Sequence, residues 1–285
     1  MDDGILLPYR PRRPKLQRVN MFLQQPAESP YDLRFRLFGF PIRIAWGFWV
    51  AAIIFGFELV RGIENYLAAD SPGRLPLLVL WASCLLVSIL IHELGHAFAF
   101  RQNGIESSIV LYHFGGLAIP RGESRGGFEK RSGPISDMWV SFAGPFAQLC
   151  SAVLLAAVVH FAGYQLEAFR WLPGTLEERI PGAMDGKPID SPGVYAMLVF
   201  YLLPSIFWAL INLLPVLPLD GGQIARSFVL MQGGDITTAL WISVIAAGLT
   251  AAYGMSIGQT YIAIFFLILG VSSFQALQQV GRGWR

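Results

Sequence analysis

Long apolar runs, separated by short polar segments, dominate the pattern of hydrophobic and polar positions along this chain. A transmembrane helix needs about 20 consecutive, mostly apolar residues. Six segments suit that requirement, at about 44–60, 76–100, 138–163, 194–214, 237–253 and 258–277. Four residues separate the last two segments, so we expect them to form a tight helical hairpin. The pattern predicts an all-α polytopic membrane protein with about six transmembrane helices.

The segment that follows the second span departs from this helical pattern. Residues 107–112 show a strand-like alternation, and the glycines of Phe114-Gly115-Gly116-Leu117 follow as a turn signal. We therefore expect a small β-hairpin or sheet element after the second span.

The N-terminal segment, residues 1–36, lacks an apolar stretch of the length that a signal peptide needs. It contains clustered arginines and several prolines, so we expect a basic, mostly disordered arm. The remaining residues, 37–285, then form a single membrane-embedded domain. Its core covers about 37–225, and a helical hairpin at about 237–277 completes it.

Composition supports a bilayer as the solvent, because 54% of the residues are hydrophobic and only 14% are charged. Ordinary soluble domains carry about 25% charged residues. The net charge of +2 is too small to indicate a nucleic-acid partner. Cys84 and Cys150 both lie in apolar runs, so we expect small buried side chains and no disulfide framework.

The positions of the 21 Lys and Arg residues indicate the orientation of the chain. If the N-terminus is cytoplasmic, 16 of them fall on the cytoplasmic side and 5 on the other side. Cytoplasmic loops are enriched in Lys and Arg. We therefore expect both termini to be cytoplasmic.

The second span carries the pentad His92-Glu93-Leu94-Gly95-His96. Residues four apart on a helix project from one face, so both imidazoles can bind the same zinc ion. Glu93 is offset by one residue, which suits a general base acting on the attacking water. Ionisable groups at membrane depth are costly and are usually functional.

A catalytic zinc ion needs a third protein ligand. His113, His160 and Asp220 are candidates by residue type. His160 falls on the opposite side of the membrane in this topology, and His113 lies in the strand-like loop. Asp220 follows the prolines that end the fourth span, and Gly221 and Gly222 behind it permit a tight return turn. An aspartate in an ordinary helix-ending turn remains the alternative interpretation.

HELGH in a membrane helix, followed by Asn212-Leu213-Leu214-Pro215-Val216-Leu217-Pro218-Leu219-Asp220-Gly221-Gly222, resembles the site-2 protease family of intramembrane metalloproteases. Phe38–Arg43, the Phe114-Gly115-Gly116 motif and Ser141-Phe142-Ala143-Gly144-Pro145 resemble the same family. The resemblance implies one Zn²⁺ per chain bound by His92, His96 and Asp220, with Glu93 as catalytic base. It also implies substrate contacts from Asn212, Gly115 and Gly116, although Asn212 could equally form an interhelical hydrogen bond.

The implied activity is hydrolysis of peptide bonds in or near transmembrane segments of other membrane proteins. Expected substrates are single-span or peptide membrane proteins in a bacterial cytoplasmic membrane, and regulatory membrane partners are possible. A substrate helix must unwind before attack, and strand 107–112 could hold it by edge addition or be purely structural. A membrane metal carrier and a catalytically silent binding protein of the same fold are the alternative functions.

Overall fold

The computed structural model describes residues 27–113, 115–121, 133–171 and 182–282. These residues contain seven α-helices, α1 (Trp46–Leu67), α2 (Arg74–Gln102), α3 (Pro134–Phe161), α4 (Pro192–Asn212), α5 (Asp220–Met231), α6 (Ile236–Ser256) and α7 (Thr260–Arg282). All except α5 are long and apolar enough to cross a membrane. The prediction of six spans is confirmed, and α6 and α7 form the predicted hairpin with three residues between them.

Local sequence sets several helix ends. Pro134 and Pro192 occupy the first turns of α3 and α4, where a missing backbone N–H is tolerated. The Ser191 side chain caps α4 by accepting a hydrogen bond from the backbone N–H of Val194. Asp235 caps α6 in the same way, through the N–H of Thr238.

Four strands form one small sheet in the order β1 (Leu33–Leu37), β2 (Phe40–Ile44), β3 (Glu106–Tyr112) and β4 (Gly115–Arg121). The β1–β2 and β3–β4 pairs are antiparallel hairpins, as predicted for the second pair. The β2–β3 pair is parallel, with α1 and α2 lying between its strands in sequence. Because an even number of spans connects them, β2 and β3 lie on the same side of the membrane.

Two predictions about this region are wrong. The predicted disordered arm extended to residue 36, but residues 33–36 are paired in β1; residues 1–26 lie outside the described part of the chain. The second is the interpretation that substrate adds to the edge of the strand at 107–112, which was left open beside a purely structural role. That strand has β2 on one side and β4 on the other, so it cannot accept a further strand.

An ion pair ties the first hairpin to the start of α1. Arg43 donates to the Asp32 carboxylate at 3.1 Å, and the backbone N–H of Trp46 donates to the same carboxylate. Burial alone would raise the pKa of Asp32, but hydrogen bonds from the Ser29 and Trp46 backbones and the Arg43 charge outweigh it and lower that pKa. The carboxylate therefore stays charged and holds the sheet against the membrane helices.

The main apolar core lies among α1–α4 and includes Trp81 and Phe200, whose rings pack edge to face. The Trp81 indole N–H donates to the Ala52 carbonyl of α1 at 2.7 Å, so this buried donor is satisfied. Cys84 is buried here as predicted. Cys150 is exposed on α3, so its predicted burial is wrong.

The chain breaks its helical path between α4 and α5. Ser243 of α6 accepts a hydrogen bond from the Leu217 backbone N–H at 2.8 Å and lies 2.8 Å from the Ser273 hydroxyl of α7. Ser273 in turn donates to the Leu217 carbonyl at 3.4 Å. We call Ser243 and Ser273 the serine clamp. It satisfies backbone groups at a depth where lipid offers no hydrogen bonds.

Candidate metal centre and active site

Three side chains converge at the start of α5. The Nε2 atoms of His92 and His96 lie 3.1 Å apart. Asp220 approaches both of them, with Oδ2 3.1 Å from His92 Nε2 and Oδ1 3.4 Å from His96 Nε2. Both histidines are buried, and the Asp220 side chain is 18% exposed. The geometry that the sequence predicted for these three residues is therefore present.

Close packing of α2 against α3 supports the two histidines. A Cβ atom at Gly95 would collide with the Ala143 carbonyl of α3. A Cβ atom at Gly144 would in turn collide with the His96 ring. The two glycines therefore let the backbones of α2 and α3 approach at the site, which explains why the HELGH and Ser141–Pro145 motifs occur together.

Asp220 reaches the histidines because α4 ends at the cavity and α5 starts there. The sequence suggested instead a tight return turn at the glycines that follow Asp220. That expectation is wrong, since Gly221 and Gly222 lie in the first turn of α5. Cβ atoms there would collide with the backbone of Leu213–Leu217. The absence of side chains lets α5 pack directly on the preceding segment.

The hydrogen bonds behind the two imidazoles fix their tautomers. His96 Nδ1 lies 2.7 Å from the Val140 carbonyl, which can only accept, so Nδ1 carries the proton. His92 Nδ1 lies 2.9 Å from Gln148 Oε1 and donates to it in the same way. Both Nε2 atoms therefore direct a lone pair towards Asp220.

This donor set fits zinc. Ligand atoms about 2.1 Å from a tetrahedral zinc ion lie about 3.4 Å from one another, and the observed separations are 3.1–3.4 Å. Two neutral imidazoles and one carboxylate also match the ligand types of catalytic zinc sites. Outer hydrogen bonds to the Nδ1–H groups are typical of metal-binding histidines.

Among the described residues, the group of His, Cys, Asp and Glu side chains that could share one ion is His92, His96 and Asp220. His113 and His160 are not part of it. His113 lies beside the start of α1, near Gly47, and His160 lies in the last turn of α3. Of the three candidate third ligands, the structure brings Asp220 to the histidines.

Strand β4 fixes the side chain of Glu93, which is buried beside the metal ligands. The backbone N–H of Ala118 lies close to the Glu93 carboxylate. A Cβ atom at Gly116 would collide with the Glu93 carboxyl group. The sheet thus serves the site directly, because it places a backbone donor and a glycine against this carboxylate.

A cavity of about 480 Å³ opens beside these residues. Its polar lining includes Glu93, Asn212 and Gln223, and its apolar lining includes Trp208 of α4 and Phe265 of α7. The C-terminal hairpin therefore contributes to the wall of the site. The cavity can hold a short length of extended peptide next to the metal ligands.

The predicted substrate contacts take different positions around this cavity. Asn212 lines it, and its amide donates to the Trp208 carbonyl one turn earlier at 2.9 Å. The alternative of an interhelical bond is thus replaced by a bond within α4. Gly116 lines the cavity beside Glu93, whereas Gly115, with φ at +115°, makes room for the Trp208 ring. Phe114 lies outside the described residues.

The sequence analysis missed three buried polar residues behind His92, namely Gln148, Ser88 and Ser205. A signal for two of them was available. Ser88 precedes His92 by four residues and shares its helix face. Gln148 is a polar side chain within the third apolar run. Their mutual contacts depend on helix packing, which a single sequence does not specify.

The chain is similar to known proteins over most of its length. The model of Peptidase family M50 matches residues 80–252. The "Putative zinc metalloprotease Rip3" of Mycobacterium tuberculosis is 26% identical over 258 residues, covering 87% of this chain and 53% of the relative. The "Putative zinc metalloprotease sll0528" of Synechocystis sp. is 28% identical over 255 residues, covering 87% and 55%. The chain spans about half the length of these curated relatives.

The chain is also similar to a solved structure, that of the site-2 protease from Methanocaldococcus jannaschii. It is 21% identical in sequence and superposes with a TM-score of 0.47. The match covers 87% of this chain and 95% of that chain.

Proposed function

Because the chain belongs to peptidase family M50, the site-2 protease family, we propose that it is an intramembrane zinc endopeptidase. Its substrates are other membrane proteins, which it cuts in or near their transmembrane segments. The observation that carries this proposal is the convergence of His92, His96 and Asp220 beside the buried carboxylate of Glu93. His92, Glu93 and His96 lie on α2, which has the length and hydropathy of a membrane span.

His92, His96 and Asp220 would hold one zinc ion per chain through two nitrogens and one carboxylate oxygen. The ion, when bound, polarises the scissile carbonyl and makes water more acidic. Glu93 removes a proton from the attacking water and later delivers it to the departing amine nitrogen. Strand β4 would orient this carboxylate for the transfer, because Gly116 packs against it and the Ala118 N–H lies close to it.

The substrate must reach this site in an extended form, because a helix hides its carbonyl groups in its own hydrogen bonds. The sheet has two edge strands, β1 and β4, and the outer edge of β4 is the one that could pair with the substrate, because β4 lines the cavity. Gly116 and Ala118 of β4 line the cavity. Asn212 on the facing wall would then contact the substrate backbone.

The chain is an integral, multi-pass membrane protein. We place it in a bacterial cytoplasmic membrane with both termini cytoplasmic, supported by the 16 to 5 division of basic residues. The sheet then lies on the cytoplasmic side of the membrane. Its substrates are single-span or peptide membrane proteins, and regulatory membrane partners would control their delivery.

Co-expression with tagged single-span membrane proteins tests the proposal. The wild-type chain should release a shortened fragment, and Glu93→Gln should abolish its release by removing the base. Glu106→Gln, which changes an exposed carboxylate on β3, is the matched control and should cleave normally. Equal cleavage by wild type and Glu93→Gln would end the protease proposal.

The same variants separate the protease from a metal carrier. A carrier uses the ligands His92, His96 and Asp220 but has no need of a base beside them. Zinc uptake into vesicles that survives Glu93→Gln and is lost in Asp220→Asn would favour the carrier. We expect no zinc transport from either the wild type or the Glu93→Gln variant.

A further inference from the structure

A row of buried polar side chains runs behind His92 and joins three membrane helices. His92 Nδ1 lies 2.9 Å from Gln148 Oε1, and Gln148 Nε2 donates to Ser88 Oγ at 2.8 Å. Ser88 Oγ lies 2.8 Å from Ser205 Oγ. The side chains belong to α2, α3 and α4, and we call Gln148, Ser88 and Ser205 the polar relay.

The relay is sealed from solvent, since Gln148, Ser88 and Ser205 are all 0% exposed. Burying an amide and two hydroxyls is unfavourable unless each group is hydrogen-bonded. An apolar side chain of similar volume would fill the position of Gln148 without that cost. The amide therefore needs an explanation beyond packing, and its contact with His92 supplies one.

The direction of the hydrogen bonds is tied to the state of His92. For Nε2 to offer its lone pair to a metal ion, Nδ1 must carry the proton and the group facing it must accept. Gln148 Oε1 is such an acceptor, which leaves the amide NH₂ to donate to Ser88. Ser88, having accepted, can donate to Ser205. A flipped amide would face Nδ1 with a donor and favour the tautomer that cannot bind metal through Nε2.

The two histidines are held in different ways. His96 donates to the Val140 backbone carbonyl, an acceptor that no side-chain substitution can remove. His92 depends on a side-chain amide whose two ends are chemically different. The main chain thus supplies the acceptor for the Nδ1 proton of His96. For His92, the polar relay supplies that acceptor through the orientation of one amide.

We propose that Gln148 is a positioning residue of the metal centre, holding His92 in the Nδ1-protonated tautomer while Ser88 and Ser205 set the orientation of its amide. The inference rests on the proposed function, because it takes His92 Nε2 to be a zinc ligand. It assigns no contact with substrate to Gln148. Loss of Gln148 should change metal binding directly, and proteolysis only because metal binding changes.

Three variants give different expected zinc affinities. Gln148→Met keeps length but has no acceptor, so zinc affinity should fall by about 10- to 100-fold. Gln148→Glu retains an oxygen for the His92 N–H, and the Ser88 hydroxyl can turn to donate, so affinity should return close to wild type. Ser88→Ala leaves the amide without its partner and should lie between the two.

Ser151→Ala is the matched control. Ser151 lies one turn along α3 from Gln148 and accepts a hydrogen bond from the Tyr201 hydroxyl of α4 at 2.8 Å. Its removal costs a contact between α3 and α4 and the bond from the Ser151 hydroxyl to the Gln148 backbone carbonyl, while the Gln148 side chain and both histidines keep their own contacts. Any loss of stability should therefore leave zinc affinity unchanged.

The experiment uses the full chain, purified in detergent and stripped of metal. Zinc is titrated against a chromophoric chelator, and cobalt(II) is added separately to record its visible spectrum, which reports coordination geometry. Folded, monodisperse Gln148→Met should bind zinc weakly and give an altered cobalt spectrum, and Gln148→Glu should restore both. Wild-type affinity and spectrum in Gln148→Met, or equal losses in both Gln148 variants, would overturn the inference.

A wild-type chain that binds neither zinc nor cobalt would instead remove the proposed function. The two failures are therefore distinguishable, because one compares variants with a metal-binding wild type and the other concerns the wild type itself.

Discussion

The proposed base, Glu93, has little free space on the side that faces Gly116 of β4. A Cβ atom at Gly116 would overlap the Glu93 carboxyl group, so only the hydrogen atoms of a glycine fit between β4 and this group. The Ala118 N–H of the same strand also lies close to this carboxylate. The position of Glu93 is therefore set by a backbone, which moves less readily than a side chain.

Gly116→Ala should accordingly displace Glu93 without disturbing the metal ligands. We expect proteolysis to fall by about 10- to 100-fold, since a positioned general base contributes 10²- to 10⁴-fold to such reactions. Zinc content should be unchanged. Gly193→Ala, where a Cβ atom meets nothing within 4 Å, is the control and should cleave normally. Full activity in Gly116→Ala would mean that the carboxylate is not held by this contact.

At the scale of elements, the C-terminal hairpin of α6 and α7 does more than add two spans to the core. Its serine clamp binds both backbone groups of Leu217, three residues before Asp220. Its Phe265 also lines the cavity. The hairpin predicted at about 237–277, which completes the single domain beside a core at about 37–225, thus also takes part in the site.

Ser243→Ala should leave the Leu217 N–H unsatisfied in an apolar environment. An orphaned buried donor costs about 1–3 kcal/mol of stability, so we expect a lower melting temperature and weaker zinc retention. Thr250→Val is the control, because Thr250 bonds only within its own helix, to the Ala246 carbonyl. Identical melting temperatures and zinc contents in wild type and Ser243→Ala would show that the serine clamp stabilises neither the fold nor the metal site.

The elements differ in how far the sequence predicts them. Membrane spans follow from hydropathy, which is a local property, and all six were found, although the first helix ends at Leu67, seven residues beyond its predicted end. The β1–β2 hairpin was missed because each strand has five residues and β1 lies in an arginine-rich stretch. Its parallel pairing with β3 depends on residues far apart in sequence.

The residues of the site also differ in whether local sequence is enough to predict them. His92, Glu93 and His96 share one helical motif, and their common face follows from spacing alone. Asp220 needed the resemblance to a known family, since an aspartate after a proline-rich segment has an ordinary interpretation. Gln148 was not predicted, because its partner lies on another helix and no spacing rule connects the two.

At the scale of the whole molecule, the proposed metal site joins separate parts of the chain. His92 and His96 come from α2, and Asp220 comes from α5, which lies after two further spans. An ion bound by all three would therefore cross-link helices that otherwise associate by packing. Ligands that bind only the folded state stabilise it by mass action.

Zinc should consequently raise the thermal stability of the purified chain. At a free concentration 100 times the dissociation constant the gain is about 2.7 kcal/mol, and a chelator should reverse it. The measurement is the melting temperature in detergent with zinc and with chelator. Asp220→Asn should reduce the difference sharply. A wild-type melting temperature that changes with neither zinc nor chelator would contradict the proposed metal site.

The parallel pair of β2 and β3 carries a consequence for how the protein is made. Both α1 and α2 must enter the bilayer before β3 can pair with β2. An odd number of membrane crossings between the two strands would leave them on opposite sides of the membrane. Because β4 follows on β3 and holds Glu93, the carboxylate reaches its final position only after this first helical pair has threaded correctly. A newly synthesised chain with a misinserted first span would therefore lack the contact between β4 and Glu93.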